Sequence, residues 1–125
     1  MAKMNRYPLV SVIIVNFNGK DYVSSCIREI LINFYPDFEI IVMDNGSTDG
    51  SVQYLRSNFD DKRLRIIELD KNYGPSFARN EGVKKSSGKY ISFLDNDTKP
   101  RADWLYEPVS IMESDPSIGI CQCKL

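Results

Sequence analysis

Four short apolar runs recur along the chain: LVSVIIVN (9–16), FEIIVMD (38–44), LRIIELD (64–70) and YISFLD (90–95). They are rich in β-branched and aromatic residues, which suit a pleated, buried backbone. The segments between them have a different period. Tyr22, Val23, Cys26, Ile27, Ile30, Leu31 and Phe34 fall at helical spacing across 20–34, and Val52, Leu55 and Phe59 mark a short second helix. Pro75 suits the first turn of a third helix running towards Ser86, with Gly88 as its stop, and a fourth spans Pro100 to about Glu113. IGICQCKL (118–125) reads as a fifth and last strand. Strands alternating with helices imply βαβ units, hence an α/β fold with a mainly parallel sheet and helices on both faces. Strands that are apolar almost throughout agree, because a parallel sheet is covered on both sides.

Charge and composition remove several function classes. Sixteen Lys and Arg nearly cancel seventeen Asp and Glu, which argues against a nucleic-acid partner. No apolar run is long enough to cross a bilayer, and MAKMNRYP lacks a signal-peptide core. Three cysteines make no even disulfide framework, so reduced thiols and a cytoplasmic location are expected. With no histidine, a Ser-His or Cys-His nucleophile is excluded within the chain.

The polar residues gather where the strands end. The four runs lead into VNFN, MDNGSTDGS, LDKNYG and LDNDT. In open parallel sheets the carboxyl ends of the strands are where ligands bind. Asp, Asn and Gly also form ordinary turns and caps, and Ser47, Thr48 or Asp49 is expected to cap the second helix. Asp44 fits that explanation less well: it still belongs to the strand, and a buried acid needs hydrogen-bond partners, which a nucleobase N–H or ribose hydroxyls would supply.

Asp95 and Asp97 in LDNDT set two carboxylates one residue apart. Alternate residues of an extended segment point to one side, so both reach one ion. Hard oxygen donors without histidine suit Mg2+ or Mn2+, which take one or two carboxylates and complete their shell with water and phosphate oxygens. The bound cation would relieve the repulsion between the acids. Gly74 before Pro75 lets backbone approach a ligand at a helix N-terminus, which favours anions. Arg79 could reach a diphosphate, but a helix-face arginine is more often solvated or paired to a surface acid, and that reading is preferred. Lys84, Lys85 and Lys89 complement a helix C-terminus. Trp104, Leu105, Val109 and Met112 are expected to pack on the sheet, and Cys121 and Cys123 to lie in the core.

In order, VSVIIVNFNG (10–19), EIIVMDNGSTDGS (39–51), NYGPSFARNEGVKKSSGKYISFLDNDT (72–98) and WLYEPVSIM (104–112) resemble the N-terminal half of a family-2 glycosyltransferase with the GT-A fold. Asp44 in DNGSTDGS together with FLDND is far more specific than either motif alone. The resemblance implies a Rossmann-like three-layer sandwich, with residues 1–7 as an extension and 8–125 as the nucleotide-sugar-binding portion. It implies that Val15, Asn16 and Phe17 pack around the base of a nucleoside diphosphate sugar and that Asp44 contacts base or ribose. Gly74, Asn80, Asp95 and Asn96 complete the donor site, with Asp95 and Asp97 on the metal. UDP- and dTDP-sugars are common donors in the family. The reaction implied is glycosyl transfer, with inversion, to a carbohydrate or lipid-linked acceptor hydroxyl, metal and general base sharing the chemistry. The base is expected beyond Leu125, in an acceptor half, and membrane association is an expectation for the full-length protein only. A sheet without its later strands is expected to expose an apolar edge and self-associate.

Three competitors fit less well. A haloacid-dehalogenase-type phosphatase reads D-x-D-x-T, but Lys99 holds the threonine position. A nucleotidyltransferase calls for a glycine-rich basic loop where NFNGKDY stands. A non-catalytic nucleotide-binding or assembly module would bind a nucleoside diphosphate without sugar transfer. The fingerprints G-x-G-x-x-G after the first strand and Walker A are both missing.

Overall fold

A computed structural model describes residues 7–123. The order is β1 (Val10–Asn16), α1 (Lys20–Leu31), β2 (Phe38–Asp44), α2 (Ser51–Asn58), β3 (Leu64–Glu68), α3 (Pro75–Lys85), β4 (Tyr90–Asp95) and α4 (Tyr106–Ser114). All strand pairings are parallel and the sheet order is β3-β2-β1-β4. The strand order reverses at β1, so its carboxyl end is the switch point where such sheets open a crevice.

Alternate residues of β1 feed two cores, as the pleat requires. Val10, Val12 and Ile14 pack with Val23, Cys26, Ile27 and Ile30 of α1, Leu55 of α2, and Leu105 and Val109 beside and on α4. Ile13 faces the other way, onto Ile41, Met43 and Ala78. Helix α3 closes that second face by being small where it touches: a Cβ at Gly82 would stand 2.8 Å from Ile13 Cγ2. Pro75 at the start of α3 has the fixed φ that a first turn accepts.

Tyr7, the last residue of the sequence-defined extension, meets Tyr35 and Tyr106 edge-on, with ring centroids 5.9 and 5.6 Å away. The rest of that extension lies outside the described residues. Tyr35, buried, donates its hydroxyl to Pro8 O at 2.5 Å.

Several expectations need correction. Residues 118–123 take no strand pairing, Ile120 is 88 % exposed, and Cys121 and Cys123 are exposed instead of core. A strand exists only where an edge accepts its hydrogen bonds, and this segment lies off both sheet edges; Lys124 and Leu125 fall outside the described residues. Helix α1 ends at Leu31, and Tyr22 and Phe34, counted on its apolar face, are both about two-thirds exposed. Helix α4 begins at Tyr106, because Pro100–Leu105 turns tightly first, with Trp104 N–H bonded to Arg101 O. β3 stops at Glu68, two residues early.

Trp104 does pack against the larger core. Lys84 and Lys89 are paired to Glu81 and Glu113. β4 pairs only with β1 among the described residues, and its Ile91 and Phe93 are 36 % and 52 % exposed.

Candidate functional site

The loops after β1, β3 and β4, Asn45 at the end of β2 and the start of α3 surround a cleft of about 380 Å3, lined by Val15, Phe17, Asn45, Asn72, Pro75, Arg79, Leu94, Asp95, Asn96 and Asp97. Val15 pairs with Asp95 in the β1–β4 register, which brings the apolar and acidic parts of the cleft together. β4 delivers Asp95 as its last residue. The turn beyond it is closed by Thr98 N–H donating to Asp95 O at 3.1 Å, so Asp95 and Asp97 flank one tight bend. Asp95 carries an ion pair with Arg79 Nη2 at 3.5 Å, half-exposed on the arginine side and largely exposed on the acid.

Asp44 is fully buried and does not line the cleft. Its Oδ1 accepts from Asn16 Nδ2 at 3.0 Å and Ser47 Oγ at 2.7 Å, and its Oδ2 accepts from Ser47 N–H at 2.9 Å. These bonds offset the cost of burying a carboxylate. Asn16, also fully buried, accepts from Asn96 Nδ2 at 3.0 Å. Asn96 therefore lines the cleft with the acids beside it while its amide nitrogen is tied to the buried Asn16.

Asn45 was not singled out by the sequence, yet it staples the far wall. Its Oδ1 accepts from Tyr73 N–H at 3.1 Å and its Nδ2 donates to Gly74 O at 3.1 Å. Gly74 itself has φ +89°, which any other residue would adopt only under strain. Arg79, weighed as a surface residue, lines the cleft instead. Asn80 is exposed on α3 and does not line it. The signal that would have found Asn45 and Asn72 is position, since Asn45 directly follows β2 and Asn72 lies in the loop between β3 and α3.

The loop 45–50 is held by side chains. Asn18, at φ +52°, donates N–H to Ser47 Oγ at 2.9 Å and accepts from Thr48 N–H at 2.7 Å. None of the three expected caps holds the N-cap of α2, which is Gly50 without a side-chain cap bond; Asp49, just before it, accepts from Ser51 N–H at 3.0 Å. Cys26 lies behind the acidic turn with Sγ 3.8 Å from Asp95 O; burial, then the Asp97 carboxylate, push its thiol up to about 12.

Two exposed carboxylates on one bend, with an arginine and amides opposite, suit a cation and an anionic ligand together. No group of three or more acids, cysteines or histidines positioned for a metal occurs among the described residues, so water and ligand oxygens would complete the shell. Among these residues no helix is long and apolar enough to cross a membrane.

The parallel sheet with this cleft at its switch point is that of a GT-A glycosyltransferase. A mannosyltransferase from Pyrobaculum calidifontis, solved with GDP-Man and Mn2+, superposes with a TM-score of 0.81 at 27 % identity, over 90 % of this chain and 34 % of that one. TarS of S. aureus in complex with UDP-GlcNAc shares the fold, with a TM-score of 0.76 at 23 % identity, over 90 % of this chain and 37 % of that one. The chain belongs to glycosyl transferase family 2, whose family profile matches residues 11–124. The glycosyltransferase AglE of Haloferax volcanii is 37 % identical over 108 residues, covering 82 % of this chain and 35 % of that protein. The chain spans less than half the length of the curated relatives it matches.

Proposed function

We propose that the cleft holds a nucleoside diphosphate sugar, with Mg2+ or Mn2+ at Asp95 and Asp97, as the donor site of a glycosyltransferase acting on an acceptor hydroxyl with inversion. The observation that carries this reading is the gathering of both acids, Arg79, Asn45 and Asn72 with Val15 and Phe17 in one cleft at the sheet's switch point. Val15 and Phe17 would flank the base, UDP- and dTDP-sugars being the first candidates. Asn45 and Asn72 would meet ribose or phosphate, and Arg79 would reach the diphosphate. Asp44 and Asn16 support the wall from behind, and Gly74 lets the start of α3 come close. The donor set fits a hard cation, and the Pyrobaculum neighbour with its GDP-Man and Mn2+ supports this. When bound, the cation would neutralise charge on the departing diphosphate. The chain's own part is to bind, orient and offset phosphate charge. The acceptor, carbohydrate or lipid-linked, and the general base are assigned to parts of the full-length protein other than this cleft, and a cytoplasmic donor pool is consistent with the reduced thiols.

Calorimetric titration of UDP with Mn2+, and again with chelator, tests the reading. Saturable binding that chelator abolishes supports it; absence of binding by UDP, dTDP and GDP alike would overturn it. Binding without sugar transfer in the full-length protein would favour a nucleotide-binding module instead.

A further inference from the structure

Resting on that donor-site reading, we propose that Asn16 and Asn96 are positioning residues whose side-chain amides tie the acidic turn 95–98 to the buried carboxylate of Asp44. A carboxylate only accepts hydrogen bonds, so the amide nitrogen of Asn16 must face Asp44. It does, donating to Asp44 Oδ1 at 3.0 Å and to Ser47 Oγ at 3.3 Å. The amide oxygen of Asn16 is thereby directed at Asn96 Nδ2, 3.0 Å away. One buried acid thus dictates the orientation of two successive amides, and the second belongs to the bend that carries Asp95 and Asp97.

The pair has no room to reorient. A Cβ at Gly19 would stand 2.4 Å from Asn96 Nδ2 and 2.9 Å from Asn16 Oδ1, so the loop after β1 lies directly against both amides. Asn96 is the second residue of the turn closed by Thr98 N–H and Asp95 O. Asn96 lines the cleft between Asp95 and Asp97, so fixing its side chain on Asn16 fixes the bend that carries both acids. Asp44, at the end of β2, therefore acts on the acidic turn across β1, without lining the cleft itself.

The test is amide hydrogen exchange by NMR on the 125-residue chain, with UDP and Mn2+ titrated into the same samples. In Asn16→Ala the Thr98 N–H is expected to lose protection at least tenfold, while Val42 and Ile13 in the sheet keep theirs. Asn96→Ala, at a half-buried position, is expected to do the same, and the double variant no more than either single change. UDP–Mn2+ affinity should fall about tenfold in step. Unchanged Thr98 exchange in both single variants, or effects that multiply in the double variant, would overturn the relay. A loosened turn that binds UDP–Mn2+ as tightly as wild type would overturn its positioning role. If wild type binds no nucleoside diphosphate, the donor-site reading and the positioning role fall together, while the exchange comparison by itself still decides whether the hydrogen-bond chain exists.

Discussion

Asn96 donates its side-chain amide to Asn16 Oδ1 at 3.0 Å, joining two strand ends that lie 80 residues apart in the chain. Through this bond the acidic bend and the buried end of the sheet behave as one unit, and the consequences are measurable.

Removing one acid should separate binding from folding. Asp97 lies on an exposed bend lining the cleft, so Asp97→Ala should leave the melting temperature within a few degrees of wild type. A charge-assisted contact contributes about 1.5–3 kcal/mol, which predicts roughly a ten- to hundred-fold loss of Mn2+-dependent UDP affinity. Calorimetry beside a thermal melt checks both halves; equal affinity in the variant would discard Asp97 as a ligand.

Arg79 and Asp95 form a largely exposed pair at 3.5 Å. Such pairs contribute about 0–1 kcal/mol, so Arg79→Ala should barely alter stability in urea. Diphosphate affinity should fall several-fold, and binding of the nucleoside alone should not. A matching loss for uridine would argue that Arg79 shapes the cleft instead of holding phosphate.

Gly19→Ala introduces a methyl against the paired amides. Overpacking of this kind costs about 1–3 kcal/mol, and here it acts on the hydrogen-bond chain itself. Urea denaturation should show the destabilisation, and the Asn96 side-chain amide resonances should shift. Normal stability with unmoved resonances would mean that the loop after β1 yields freely.

The three cysteines should divide two to one. Cys121 and Cys123 are exposed, whereas Cys26 is buried and its thiol is pushed up to about 12, far above the pH of an alkylation experiment. Thiolate is the reactive form. Iodoacetamide at pH 8 should add two labels to the native chain and three in denaturant, read by mass spectrometry. Rapid native labelling of Cys26 would show that the turn over it opens readily.

β4 pairs only with β1 among the described residues and carries Phe93 at 52 % exposure, an arrangement that invites association. For the 125-residue chain, light scattering should show mass rising with concentration, and Phe93→Lys should lower it. A wild-type monomer at every concentration would remove self-association through this edge.

The α/β class and the first four strands were legible because buried parallel strands are apolar throughout and helices repeat their apolar face every three or four residues. Val23, Cys26, Ile27 and Ile30 declared themselves in this way, and the acids Asp95 and Asp97 stood out by their spacing at the end of an apolar run. Periodicity gave a false strand at 118–123, since an apolar run pairs only if an edge is within reach. It also extended α1 to Phe34, because spacing does not say where a helix stops.

What only the tertiary structure decided is the direction each polar side chain faces. Asp44 and Asn16 looked like cleft residues by type and position, yet both are buried behind the cleft and bond to groups from other strand ends, Asn96 among them. Asn45 looked like an ordinary turn residue and Arg79 like a solvated one, yet the end of β2 and the packing of α3 bring them to the same cleft. Sequence fixes which groups stand at the strand ends through short-range pattern. Which of them face a ligand and which face one another depends on strand order and register, and these are set by packing between residues far apart in the chain.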